Sequence, residues 1–91
     1  MARLRIAVCG LGWWGRVIVP LAKSSGRLEV VRVVDPAPAA REFARQQGIP
    51  LVSHFEEVLK DENVEAVVLS THQTLHTEQI VNAAQAKKHV I

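Results

Sequence analysis

Apolar and polar positions change period several times along this chain, and each change marks an element. Across residues 3–9, Leu4, Ile6 and Val8 alternate with Arg5 and Ala7, as in a short strand. Trp14, Val17, Ile18, Leu21 and Ala22 then recur at the spacing of one helix face, until Ser24-Ser25-Gly26 ends the run. Pro20 falls inside that helix, where it removes a donor and predicts a bend or bulge. Residues 28–34 return to strand, with Val30-Val31 and Val33-Val34 suited to burial on both sides. Arg32 interrupts them, which places it near an edge or a site mouth, or snorkelling with its stem packed.

The second half repeats the alternation. Pro38 suits the first position of a helix that runs to Gln47 and stops at Gly48, with Ala40, Phe43 and Ala44 facing inward. A short strand over 49–52 is entered through Pro50. Ser53-His54-Phe55-Glu56 then reads as a capping box for a small helix over 55–60, with His54 as a surface residue. Asp61-Glu62-Asn63 is a polar turn before a strongly apolar strand over 64–69. A helix over 75–87 follows, with Thr74 as its cap and Glu78 in its first turn, and His89-Val90-Ile91 begins a fifth strand. Strands that alternate with helices in this way form a parallel sheet covered on both faces.

The join between the first strand and first helix carries the clearest chemistry. Gly10-Leu11-Gly12-Trp13-Trp14-Gly15 is a G-x-G-x-x-G run at the end of a strand and the start of a helix. Gly10 permits a tight turn, Gly12 lets backbone approach a pyrophosphate, and Gly15 lets the helix pack closely on the strand. Free N–H groups and the positive end of the helix dipole then face the phosphates. Asp35 closes the second strand twenty residues after Gly15, where such a site uses a carboxylate on the adenosine ribose. The alternative is an ordinary strand-turn-helix with a solvated Asp. Ser70-Thr71-His72-Gln73-Thr74 follows the fourth strand, at the sheet edge where open α/β folds bind ligands.

Composition narrows the field further. A chain of 91 residues makes one small domain, and 48% hydrophobic residues are enough for its core. Eleven basic and nine acidic side chains are scattered with no long basic run, which speaks against nucleic acid. No run has transmembrane length and no signal peptide precedes the first strand, so a cytoplasmic protein with no membrane partner is expected. Cys9 is a single cysteine, read as a small packing residue, and no metal-ligand spacing is present.

With these stretches in view, the chain resembles the amino-terminal half of the Gfo/Idh/MocA family, named for glucose-fructose oxidoreductase, inositol dehydrogenase and a rhizopine-catabolism protein. The resemblance covers essentially all 91 residues. Its marks are the glycine run, Val33-Val34-Asp35-Pro36, and Val64-Glu65-Ala66-Val67-Val68-Leu69-Ser70-Thr71 with His76 five residues on. The last is similar to the family's D-A-V-x-I-A-T-P-x-x-x-H, and Lys88-His89-Val90 to its G-K-H-V. The resemblance implies a three-layer Rossmann-type parallel sheet in the order 3-2-1-4-5, incomplete at its C-terminal end. It also implies an NAD(P)-binding domain over 1–91 that belongs to an oxidoreductase acting on the CH–OH groups of sugars, inositols or related polyols. Gly10, Leu11, Gly12, Trp13, Trp14 and Gly15 would serve the pyrophosphate, Asp35 and Pro36 the adenosine ribose, and Ser70, Thr71, His72 and His76 the inner half of the cofactor. Asp35 favours NAD over NADP by repelling a 2′-phosphate, against which stands Arg41 in the next helix, a cation that either reaches such a phosphate or faces solvent.

Three departures from the family pattern qualify this reading. His72 replaces a proline, and places an imidazole beside the cofactor or on an exposed loop. Lys87 replaces a helix-ending glycine, which is expected to forfeit the left-handed cap at a cost of up to about 1 kcal/mol. The sequence stops before the family's E-K-P segment, whose lysine assists proton transfer, and before the substrate domain. The 91 residues are therefore expected to bind cofactor without catalysing turnover, with no catalytic residue of their own. A stand-alone NAD-sensing module without catalysis is the alternative, and the fifth strand offers an edge for a homo-oligomer.

Overall fold

The computed structural model describes residues 3–70 and 73–91, the side chains of 73–75 excepted. Nine elements alternate along it: β1 (Leu4–Cys9), α1 (Trp13–Ser24), β2 (Leu28–Val34), α2 (Ala39–Gln47), β3 (Leu51–Val52), α3 (Phe55–Leu59), β4 (Ala66–Leu69), α4 (Gln73–Gln85) and β5 (His89–Val90). The strands form one parallel sheet in the order β3-β2-β1-β4-β5, as the family resemblance implied. Because β1 is central, its end is the point at which the chain crosses from one half of the sheet to the other, and a crevice opens there.

Two apolar layers sandwich the sheet. On one face Ile6, Val8, Val30 and Val33 pack with Val19 and Ala22 of α1 and Ala40 and Ala44 of α2. On the other, Ala7, Cys9, Val31, Val34 and Val67 pack with Phe55 and Val58 of α3 and Ala83 of α4. In β2 neighbouring valines face opposite sides, as strand geometry requires, and an irregularity lets Val30 share a face with Val33 and Val31 with Val34: Ile6 pairs with Val30 but Ala7 with Arg32, so the strand carries one extra residue. Arg32 sits at that bulge, half-buried. Its head is not released to water: Nε lies 3.1 Å from the Asp61 carboxylate and Nη1 donates to the Val31 carbonyl at 2.6 Å.

Several local expectations are corrected. The buried side of α1 is Gly15, Val19 and Ala22, while Trp14 and Leu21 are more than three-fifths exposed. The apolar positions of this helix cover two faces, and the one pressed on the sheet lies about a quarter turn from the stripe read in the sequence. Pro20 lies on the exposed side of the helix, which runs on to Ser24. For α3 the cap position is His54, in extended backbone and without a side-chain cap bond, so no capping box forms around Ser53 and Glu56. Helix α4 begins at Gln73, which puts Thr74 inside it and leaves no acidic residue, Glu78 included, in its first turn.

At Gly48 the chain turns left-handed (φ 68°), with Gly48 N–H bonded to Arg45 O and Ile49 N–H to Ala44 O. Lys87 adopts the same conformation (φ 62°), and Lys87 and Lys88 donate to Ala84 O and Ala83 O. The left-handed cap expected to be lost with the glycine is therefore retained, with a side chain held where L-residues are disfavoured.

Candidate functional site

The glycine run ends β1 and caps α1. Gly10 has φ 93°, which only glycine adopts readily, and its N–H donates to Val34 O at 2.7 Å, which ties the turn to the end of β2. A Cβ on Gly15 would stand 1.9 Å from the Gly10 carbonyl oxygen, so the close approach of helix to turn excludes any side chain there. Gly12 is different. It is the N-cap of α1, has ordinary backbone angles, and a Cβ built on it meets nothing within 4 Å. Its lack of a side chain leaves open space at a helix N-terminus, where unpaired N–H groups favour anions.

Asp35 lies directly on this turn. Its Oδ2 accepts from Leu11 N–H at 2.7 Å and its Oδ1 from Ala37 N–H at 2.8 Å. Each carboxylate oxygen keeps a second lone pair for a ligand hydroxyl. Gly10, Gly12, Asp35 and Pro36 line a cleft of about 400 Å³ along the carboxyl ends of the strands, closed on the far side by Ser70 and Gln79. Ser70 donates its N–H to Cys9 O at 2.8 Å, while its Oγ is buried without a hydrogen-bond partner among the described residues. An unsatisfied hydroxyl bordering a cleft is what a ligand acceptor or water would relieve.

The remaining candidate residues are distributed around this cleft. Leu11 is buried beneath the turn, and Trp13 and Trp14 stand exposed beside it as an edge-to-face pair with ring centroids 4.8 Å apart. His76 is half-buried in α4 and does not line the cleft, whereas Gln79, one turn on, does. Thr71 and His72 lie outside the described residues. Arg41 is exposed on α2.

The sequence reading missed Ser53, His54 and Phe55, which form the cleft wall beyond β3. Their signal was available, since they follow a strand at the same sheet edge as Ser70. Cys9, by contrast, is fully buried, and burial pushes its thiol up to about 12, which makes it inert. Lys88 is also removed from the cleft: its ammonium donates to Asp61 O at 2.7 Å and Val64 O at 2.6 Å, before the start of β4. Among the described residues no cluster of His, Cys, Asp or Glu is placed to hold a metal, and no helix is long and apolar enough to cross a membrane.

A parallel 3-2-1-4-5 sheet with a glycine turn, a helix N-terminus and a carboxylate at the end of β2 defines a Rossmann-type nucleotide-binding domain. The chain belongs to the GFO_IDH_MocA family, described as an oxidoreductase family with an NAD-binding Rossmann fold, whose model matches residues 4–91. It is 32% identical over 89 residues to a 4-carboxy-2-hydroxymuconate-6-semialdehyde dehydrogenase of Sphingobium sp., covering 96% of this chain and 28% of that protein. Among solved structures, an NAD-binding protein from Listeria innocua superposes with a TM-score of 0.90 at 36% identity, over 98% of this chain and 26% of the other. GenD2 from gentamicin A biosynthesis, solved in complex with NAD, gives 0.91 at 26% identity, over 99% and 26%. The chain spans about a quarter of the length of the relatives it matches.

Proposed function

We propose that the chain is the cofactor-binding part of an NAD-dependent oxidoreductase acting on a CH–OH group of a sugar, inositol or related polyol. The observation that carries the reading is the Asp35 carboxylate seated on the glycine turn, beside open space at Gly12. Gly10, Gly12 and the first turn of α1 would hold the pyrophosphate, Asp35 and Pro36 the adenosine ribose, and Ser70, Thr71 and His72 the inner half, with His76 standing off the cleft lining. When bound, the nicotinamide supplies hydride transfer. A carboxylate at the ribose repels a 2′-phosphate, which supports NAD over NADP.

The 91 residues are proposed to bind without turning over. Lys88 is held by two carbonyl oxygens away from the cleft, and His89 is exposed at the start of β5, so neither is placed as an acid or base for a substrate carbinol. Titration calorimetry with NAD is the test: weak, saturable binding is expected. Folded protein that takes up no NAD at millimolar concentration would remove the reading.

A further inference from the structure

We infer that Arg16 is a positioning residue for the dinucleotide phosphates, acting through the Leu11–Gly12 peptide. The inference rests on the cofactor reading above. Arg16 Nε donates to the Leu11 carbonyl oxygen at 2.9 Å, and its guanidinium carbon stands 5.7 Å from the centre of the Phe43 ring. Phe43 packs partly buried against the core, so α2 braces the arginine and the arginine braces the turn.

The consequence follows from peptide geometry. In a planar trans peptide the C=O and the following N–H point in opposite directions, so fixing Leu11 O on Arg16 also fixes the Gly12 N–H away from it. That N–H has no acceptor among the described residues, and Gly12 lines the cleft. The preceding peptide is held independently, with Leu11 N–H on Asp35. Two successive peptides of the turn are thus set by two side chains, one acidic on the ribose side and one basic on the helix side. Without Arg16, the Leu11–Gly12 peptide is free to turn its carbonyl oxygen toward the cleft, where a partial negative charge opposes a phosphate. Arg16 is exposed, so its removal leaves no cavity.

The test compares wild type, Arg16→Met and Arg16→Lys by NAD titration, thermal melting and the amide resonance of Gly12 in cofactor-free protein. Arg16→Met is expected to keep its melting temperature, move or broaden the Gly12 resonance, and weaken NAD binding about tenfold. Arg16→Lys, whose ammonium still reaches a carbonyl, is expected to recover most of both. Unchanged affinity in Arg16→Met overturns the inference and leaves the cofactor reading standing. Lost affinity with an unmoved Gly12 resonance overturns it too, by pointing to a direct charge contact with phosphate. Absence of binding by wild type overturns the cofactor reading and this inference with it. Should Arg16→Met fold poorly, Arg16→Gln, which keeps a polar end, serves the same comparison.

Discussion

The carboxylate of Asp35 and the amide of Leu11, twenty-four residues apart in sequence, meet in a 2.7 Å hydrogen bond that joins the end of β2 to the glycine turn. With Ala37 N–H on its other oxygen, Asp35 organises backbone before any ligand arrives. Removing it orphans two N–H groups that charge-assisted bonds had satisfied. Asp35→Ala is therefore expected to lower cofactor-free stability by about 1–3 kcal/mol, measured by urea unfolding. Asp35→Asn, which retains one acceptor oxygen, should lose less.

Gly12 and Gly15 separate folding from binding. Gly15→Ala drives a methyl into the Gly10 carbonyl, a backbone atom that cannot rotate aside, and should cost roughly 3 kcal/mol in the same unfolding experiment. Gly12→Ser meets no neighbour and supplies a good N-cap side chain. Its melting temperature should hold or rise. Its NAD affinity should fall at least about tenfold, since the hydroxymethyl occupies the phosphate approach and competes for the same N–H groups.

The left-handed Lys87 is a correctable strain. Lys87→Gly keeps both capping bonds and removes the Cβ clash, so stabilisation of about 1 kcal/mol is expected by thermal or urea unfolding. An unchanged midpoint would contradict the backbone angles described.

Cys9 gives a pH dependence of known sign. Its thiol titrates at about 12 when folded against an ordinary 9.0, so the unfolded chain loses its proton first. This contribution to stability is constant below pH 9 and falls as pH rises from 9 towards 12. At pH 8 the buried thiol therefore stays protonated in the folded protein. Ellman's reagent should accordingly leave the native protein unlabelled and react promptly in denaturant.

Much of this architecture was legible because its causes are local. The glycines must be glycines, for φ at Gly10 and for packing at Gly15, and Asp35 stands at a strand end where spacing alone predicts it. What escaped reading depends on contacts between distant elements. The Arg32–Asp61 ion pair joins β2 to the turn after α3, and nothing near Arg32 announces its partner. Helix α1 carries apolar residues on two faces, and only the sheet decides which is buried; Trp14 and Leu21 were left outside. Nothing in the sequence singles out Arg16, because its contacts are with a carbonyl at Leu11 and a ring at Phe43. The His54 cap shows the reverse error, in which a local motif was present and the backbone did not use it.

The central claim is a cofactor site built by the glycine turn and read by Asp35. It is tested most directly by titrating NAD and NADP, each into wild type and Asp35→Ala. Wild type should bind NAD at least about tenfold more tightly than NADP, and the substitution should weaken NAD and erase most of that preference. NAD affinity unchanged by Asp35→Ala would contradict the account.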